Sequence, residues 1–135
     1  MPLVDTNVLF DLVTDDPIWA EWSFRQLRIQ ALKDPLIINP VVYAELSVGF
    51  DRLDQVDAFL DRTDIEVDDV PRAALFLAGK AFQIYRSRGG TRTGVLPDFF
   101  IGAHAVVQSL SLLTRDTRRY RSYFPEIMLI TPGDA

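Results

Sequence analysis

Of the nineteen acidic residues in this 135-residue chain, four stand in apolar surroundings where a strand ends or a helix begins: Asp5, Glu45, Asp98 and Asp116. Asp5 directly follows Leu3-Val4, Glu45 lies inside the apolar stretch Val41 to Val48, Asp98 follows a helix-opening Pro97, and Asp116 comes just after Leu112-Leu113-Thr114. Each falls where a parallel sheet presents its carboxyl edge, the edge at which ligands collect in open α/β sheets. Carboxylates gathered in a partly dry crevice repel one another and take up protons unless a cation neutralises them. The simplest such cation is a hard divalent ion with oxygen ligands, Mg²⁺ or Mn²⁺. Such an ion polarises a phosphodiester and eases ionisation of water near neutral pH. Taken singly, the positions have another reading: Asp5, Asp98 and Asp116 can each cap a helix, and Glu45 can pair with an arginine.

The composition narrows the chemistry further. Cysteine is absent, which removes disulfides, thiolate metal sites and cysteine nucleophiles. His104 is the only histidine, so two-histidine acid–base catalysis and histidine-rich zinc sites are excluded. It stands six residues beyond Asp98, roughly 120° around a helix, which predicts packing instead of ligation. The net charge of −5 is unevenly spread: residues 1–70 hold fifteen acids and five bases, residues 71–135 four acids and nine bases. That asymmetry fits a polyanion-facing side as well as a solvated mixture of charged helix faces. Among its bases are Arg88 and Arg92 in the glycine-rich loop 86–94, and Arg115, Arg118, Arg119 and Arg121 after the last acid-bearing strand.

The elements that must position these residues follow from periodicity. Leu3-Val4 is a short buried strand, and Val8, Leu9 and Leu12 are the inner face of the helix after it. Asp16-Pro17 reads as N-cap and first helical position of a second helix, which carries Trp19, Trp22, Leu27 and Ala31 at helical spacing. Leu36-Ile37-Ile38 is a continuous apolar run suited to a strand covered on both faces, and Asn39-Pro40 caps the helix that bears Glu45. Helix 52–62 turns Leu53, Val56, Phe59 and Leu60 inward and Asp51, Asp54, Asp57 and Asp61 to solvent. Ile65-Glu66-Val67 is a strand, and a long helix after Pro71 buries Ala74, Leu77, Ala78, Ala81, Phe82 and Tyr85. The helix from Pro97 buries Ile101, Ala105 and Val106, while Gly102-Ala103 allows a neighbour to approach closely. Strands 111–114 and 127–130 complete the set, and residues 132–135 trail off frayed. The order β-α-α-β-α-α-β-α-α-β-α-β predicts one α/β domain over 1–135 with a largely parallel sheet. No apolar run approaches the roughly 20 residues that span a bilayer, so a soluble cytoplasmic protein is expected.

The motifs Val4-Asp5-Thr6-Asn7-Val8-Leu9, Tyr43-Ala44-Glu45-Leu46, Pro97-Asp98-Phe99-Phe100-Ile101-Gly102-Ala103-His104-Ala105 and Leu113-Thr114-Arg115-Asp116 together resemble the PIN-domain ribonucleases, specifically VapC-like toxins of toxin–antitoxin modules. The resemblance spans nearly the whole chain, with the four motifs in the expected order. It implies a PIN fold, a five-stranded mainly parallel sheet between helical layers, and metal-dependent cleavage of single-stranded or looped RNA. Carried over residue by residue, it makes Asp5, Glu45, Asp98 and Asp116 the metal-binding acids and gives Thr6, Asn7 and Thr114 accessory polar roles. It also implies a homodimer and a cognate antitoxin whose tail enters the acidic groove. His104 departs from the pattern, which usually has a small or apolar residue there. The RNA backbone is expected to meet Arg92, Arg115, Arg118 and Arg119.

Other functions at the same sheet edge fit less well. A phosphoacceptor domain needs a lysine after a late strand, yet Lys33 and Lys80 both fall in predicted helices. A haloacid-dehalogenase-type phosphatase needs Asp-x-Asp at the first strand, where position 7 is Asn. The alternative of a different class is a catalytically idle PIN module that only binds RNA or protein.

Overall fold

A computed structural model describes residues 1–92 and 94–133. The elements run β1 (Pro2–Val4), α1 (Thr6–Val13), α2 (Ala20–Ala31), β2 (Leu36–Ile38), α3 (Pro40–Ser47), α4 (Leu53–Thr63), β3 (Ile65–Val67), α5 (Arg72–Ser87), α6 (Leu96–Val107), β4 (Ser111–Leu113), α7 (Arg118–Tyr123) and β5 (Leu129–Ile130). This is the predicted element order. All pairings are parallel, and the sheet order is β3-β2-β1-β4-β5.

That order sets the site. From β1 the chain steps outward to β2 and β3, then returns to the other side of β1 for β4 and β5. The reversal lies between β1 and β4, and the crevice beyond the carboxyl ends of the two strands at such a reversal is the ligand position of open α/β sheets. Register places Val4 beside Leu113, so the residues that follow, Asp5 and Thr114, emerge side by side. The Asp5 amide completes the ladder by donating to the Leu113 carbonyl at 2.9 Å.

The three central strands are buried along their whole length apart from the half-buried Ser111, as continuous apolar runs covered on both faces must be. The core continues through Val8, Leu9, Val42, Leu46, Phe99, Ile101 and Phe124. All six inward positions expected of α5 are buried or half-buried, and the helix lies along α6. Gly102 meets the close approach that its lack of a side chain allows, because a Cβ there would fall on the Phe124 ring. His104 is fully buried on α6, with Nδ1 accepting from the Asn39 amide at 3.2 Å and Nε2 donating to Gln108 Oε1 at 2.9 Å. Asn39 Oδ1 meanwhile caps α3 at the Val42 amide, so the histidine braces a helix start and plays the expected packing part.

Several local expectations give way. Regular α2 begins at Ala20, because the Asp16 carboxylate is spent on the Ile18 and Trp19 amides in a preceding turn. Ala31 and Leu53 point to solvent, since both sit at helix ends that overhang the packed stripe. The last strand shrinks to Leu129–Ile130, and Met128 is exposed, because only Leu112 and Leu113 of β4 offer it partners. The fraying expected at 132–135 falls partly on Asp134 and Ala135, and loop 86–94 contains Thr93; these three lie outside the described residues.

Candidate functional site

Asp5 is the best-defined acid. It is 4% exposed, and its Oδ1 caps α1 by accepting from the Thr6 amide at 2.7 Å. Its Oδ2 accepts from the Thr114 hydroxyl at 2.8 Å and from the Tyr120 hydroxyl at 2.9 Å. The cap reading therefore holds through one oxygen, while the other is oriented by Thr114 and Tyr120. Burial, reinforced by the charge of Asp98, pushes its carboxyl up to about 6 against those three hydrogen bonds. Burial and the nearby negative charges of Asp5 and Asp98 raise the Tyr120 phenol well above its usual range, so it stays a donor.

Thr114 links this acid to the next loop. Its Oγ1 accepts from the Asp116 amide at 3.0 Å and from the Asn7 amide group at 3.3 Å, while Asn7 Oδ1 accepts from the Arg115 amide at 3.2 Å. Thr6 donates to Glu45 Oε1 at 2.7 Å and so ties α3 to α1. The three accessory residues Thr6, Asn7 and Thr114 thus hold the acids' neighbourhood together. Asp98, in the first turn of α6, meets the Arg119 guanidinium directly. Burial raises its carboxyl first; Arg119 opposes that rise, and the charges of Glu45 and Asp116 add to it.

The fold thus brings the other three predicted acids, Asp5, Glu45 and Asp116, into electrostatic reach of Asp98. Among the described residues, no three acidic or histidine side chains converge closely enough to hold an ion as they stand. In donor type and charge the set fits a hard divalent cation, being all oxygen and short of positive charge. In spacing the acids stand apart, and one arginine, Arg119, holds one of them, Asp98.

Beside this crevice opens a cleft of about 560 Å³, lined by Tyr85, Arg92, Arg115, Asp116, Thr117, Arg118, Arg119, Ser122 and Tyr123. All four arginines expected to meet nucleic acid line it, in unequal states. Arg115 grips Asp11 with two nitrogens, at 2.6 and 2.8 Å, and its guanidinium lies 5.1 Å from the Trp19 ring centre. Arg119 is held by Asp98. Neither Arg92 nor Arg118 forms an ion pair with a described residue.

Sequence reasoning missed Asp11 and Tyr120. Asp11 was legible as an acid inside the apolar stripe of α1, where it is 2% exposed. Tyr120 carried no signal, because only the docking of α7 brings its hydroxyl to Asp5.

No curated protein matches the chain. Among solved structures it is similar to a chain of VapBC2 from Rickettsia felis bound to a promoter DNA fragment, at 20% identity and a TM-score of 0.73, covering 96% of this chain and 97% of that one. A chain of DNA-bound VapBC from Salmonella typhimurium gives 18% identity and 0.70, covering 96% of each. A chain of a toxin–antitoxin complex from Klebsiella pneumoniae gives 24% and 0.65, covering 100% of each. These likenesses concern the fold. The sequence itself matches the PIN domain over residues 3–125, and the chain belongs to that family.

Proposed function

We propose that the chain is a VapC-like toxin: a metal-dependent endoribonuclease that hydrolyses phosphodiester bonds in single-stranded or looped RNA and is silenced by a cognate antitoxin. The observation that carries this reading is the junction of the two features at Asp116 and Arg119, where a carboxylate crevice short of cations opens into an arginine-lined cleft. The similar structures are toxin–antitoxin complexes, which supports an antitoxin partner. A homodimer and a cytoplasmic setting belong to the same proposal; no helix among the described residues is long and apolar enough to cross a membrane.

In this reading Asp5, Asp98, Asp116 and Glu45 would hold Mg²⁺ or Mn²⁺. When bound, that ion supplies Lewis-acid polarisation of the phosphoryl oxygen and eases ionisation of the attacking water. Thr114 and Tyr120 fix the orientation of Asp5 before substrate arrives, so little reorganisation accompanies reaction. Thr6 does the same for Glu45, and Asn7 sets the loop that carries Asp116. Arg92 and Arg118, which line the cleft, bind RNA phosphates, and Arg115 keeps the shape of the cleft.

The test is cleavage of a labelled RNA oligonucleotide by the purified chain with Mn²⁺, with EDTA, and by Asp98→Asn. We expect both the chelator and the substitution to lower the rate by about 10²-fold or more. The spacing of the acids favours a second reading, a PIN module that binds RNA without cutting it. Binding without cleavage at any Mn²⁺ concentration would establish that reading instead.

A further inference from the structure

The ion pairs between described residues reach the four acids once, through Arg119 and Asp98. The contact is made by a single guanidinium nitrogen, and the side chains are 23% and 27% exposed, so solvent and ions can reach both partners. Arg119 also lines the neighbouring cleft, on a helix of six residues with no side-chain N-cap. Its long flexible arm therefore has two anionic destinations: the carboxylate it now holds, and whatever occupies the cleft.

We propose that Arg119 is an exchangeable stand-in for the divalent ion, holding Asp98 while the acids lack a metal and turning into the cleft to hold a phosphate once a metal takes that carboxylate. The inference rests on the metal-dependent reading above. Its physical basis is that a guanidinium and a divalent cation compete for the same carboxylate oxygens and repel each other at close range. Anchored α7 makes the exchange local: Tyr120, the next residue, stays bonded to Asp5 while the Arg119 side chain changes rotamer. Metal-free chain would thus be kept from charge repulsion among its acids, and metal loading would add a third phosphate-binding arginine to Arg92 and Arg118.

Mn²⁺ binding to the full chain, read by electron paramagnetic resonance of the free ion, tests this without reference to activity. Arg119→Gln should bind Mn²⁺ about tenfold tighter than the unaltered chain, and Arg119→Lys should fall between them. Lys80→Gln, which removes one charge from the exposed face of α5, should change nothing. A non-cleavable 2′-O-methyl RNA should gain more affinity on Mn²⁺ addition with the unaltered chain than with Arg119→Gln. Mn²⁺ affinities that are equal across the Arg119 series, with the unaltered chain binding metal and cutting RNA, overturn the exchange alone. No Mn²⁺ uptake by any variant overturns the metal-dependent reading and the exchange with it.

Discussion

Arg115 and Arg119 stand four residues apart, line the same cleft and each meet a carboxylate, yet their surroundings differ. Arg115 uses two nitrogens on Asp11, whose Oδ2 also accepts from the Ser23 hydroxyl at 2.6 Å, and the Trp19 ring lies close to its guanidinium. Asp11 is 2% exposed. The carboxylate of this pair is enclosed while Arg115 itself is 25% exposed, and the contact joins α1, α2 and the β4–α7 loop. Arg119 uses one nitrogen on a carboxylate that solvent reaches and that feels the charges of Glu45 and Asp116. A buried charge left without its partner is strongly destabilising, whereas a partly exposed one can rehydrate or change partner. The two arginines are about equally exposed, so their carboxylates separate them: the pair on a buried carboxylate is architecture, and the pair on an accessible one is available to a ligand.

The contrast can be broken most directly at Arg115. Arg115→Ala should cost about 3 kcal/mol in urea denaturation, because Asp11 stays buried with only the Ser23 hydroxyl, whereas Asp98→Asn should alter stability by less than about 1 kcal/mol. Equal losses would erase the distinction between the two pairs. A second effect of nearly the same size is pH-dependent and concerns Asp5. Burial pushes its folded carboxyl up to about 6 from an ordinary 3.8, so the native chain binds the extra proton and is favoured at low pH. Stability is therefore lost as pH rises from about 4 through about 6, by at most about 3 kcal/mol, and Asp5→Asn should remove that slope in metal-free buffer. A wild-type stability that rises over this window would show that the hydrogen bonds from Thr114 and Tyr120 outweigh burial. The smallest effect sharpens the cleft itself: Arg118→Ala should lower the slope of log affinity for RNA against log salt by about 1, with stability unchanged. An unaltered slope would place the phosphates away from Arg118.

Much of the frame was legible because it depends on short-range pattern. Continuous apolar triplets suit strands covered on both faces, and the spacing in α5 suits one face of a helix; both hold in the structure. Helix ends and the last strand were less legible, since Ala31, Leu53 and Met128 have the right chemistry but no neighbour to cover them.

The residue types alone restrict any chemistry here to oxygen ligands, because the chain has no cysteine and one histidine, and they set four acids in apolar surroundings near strand ends and helix starts. Tertiary structure alone decided which charges meet. Asp5 receives Tyr120 across 115 positions of chain, Arg115 meets Asp11 across 104, and Arg119 reaches Asp98 across 21. Burial and pairing are properties of three-dimensional proximity, and a charge read along the chain has neither until the sheet reverses between β1 and β4 and α7, packed on α6, brings Tyr120 to Asp5.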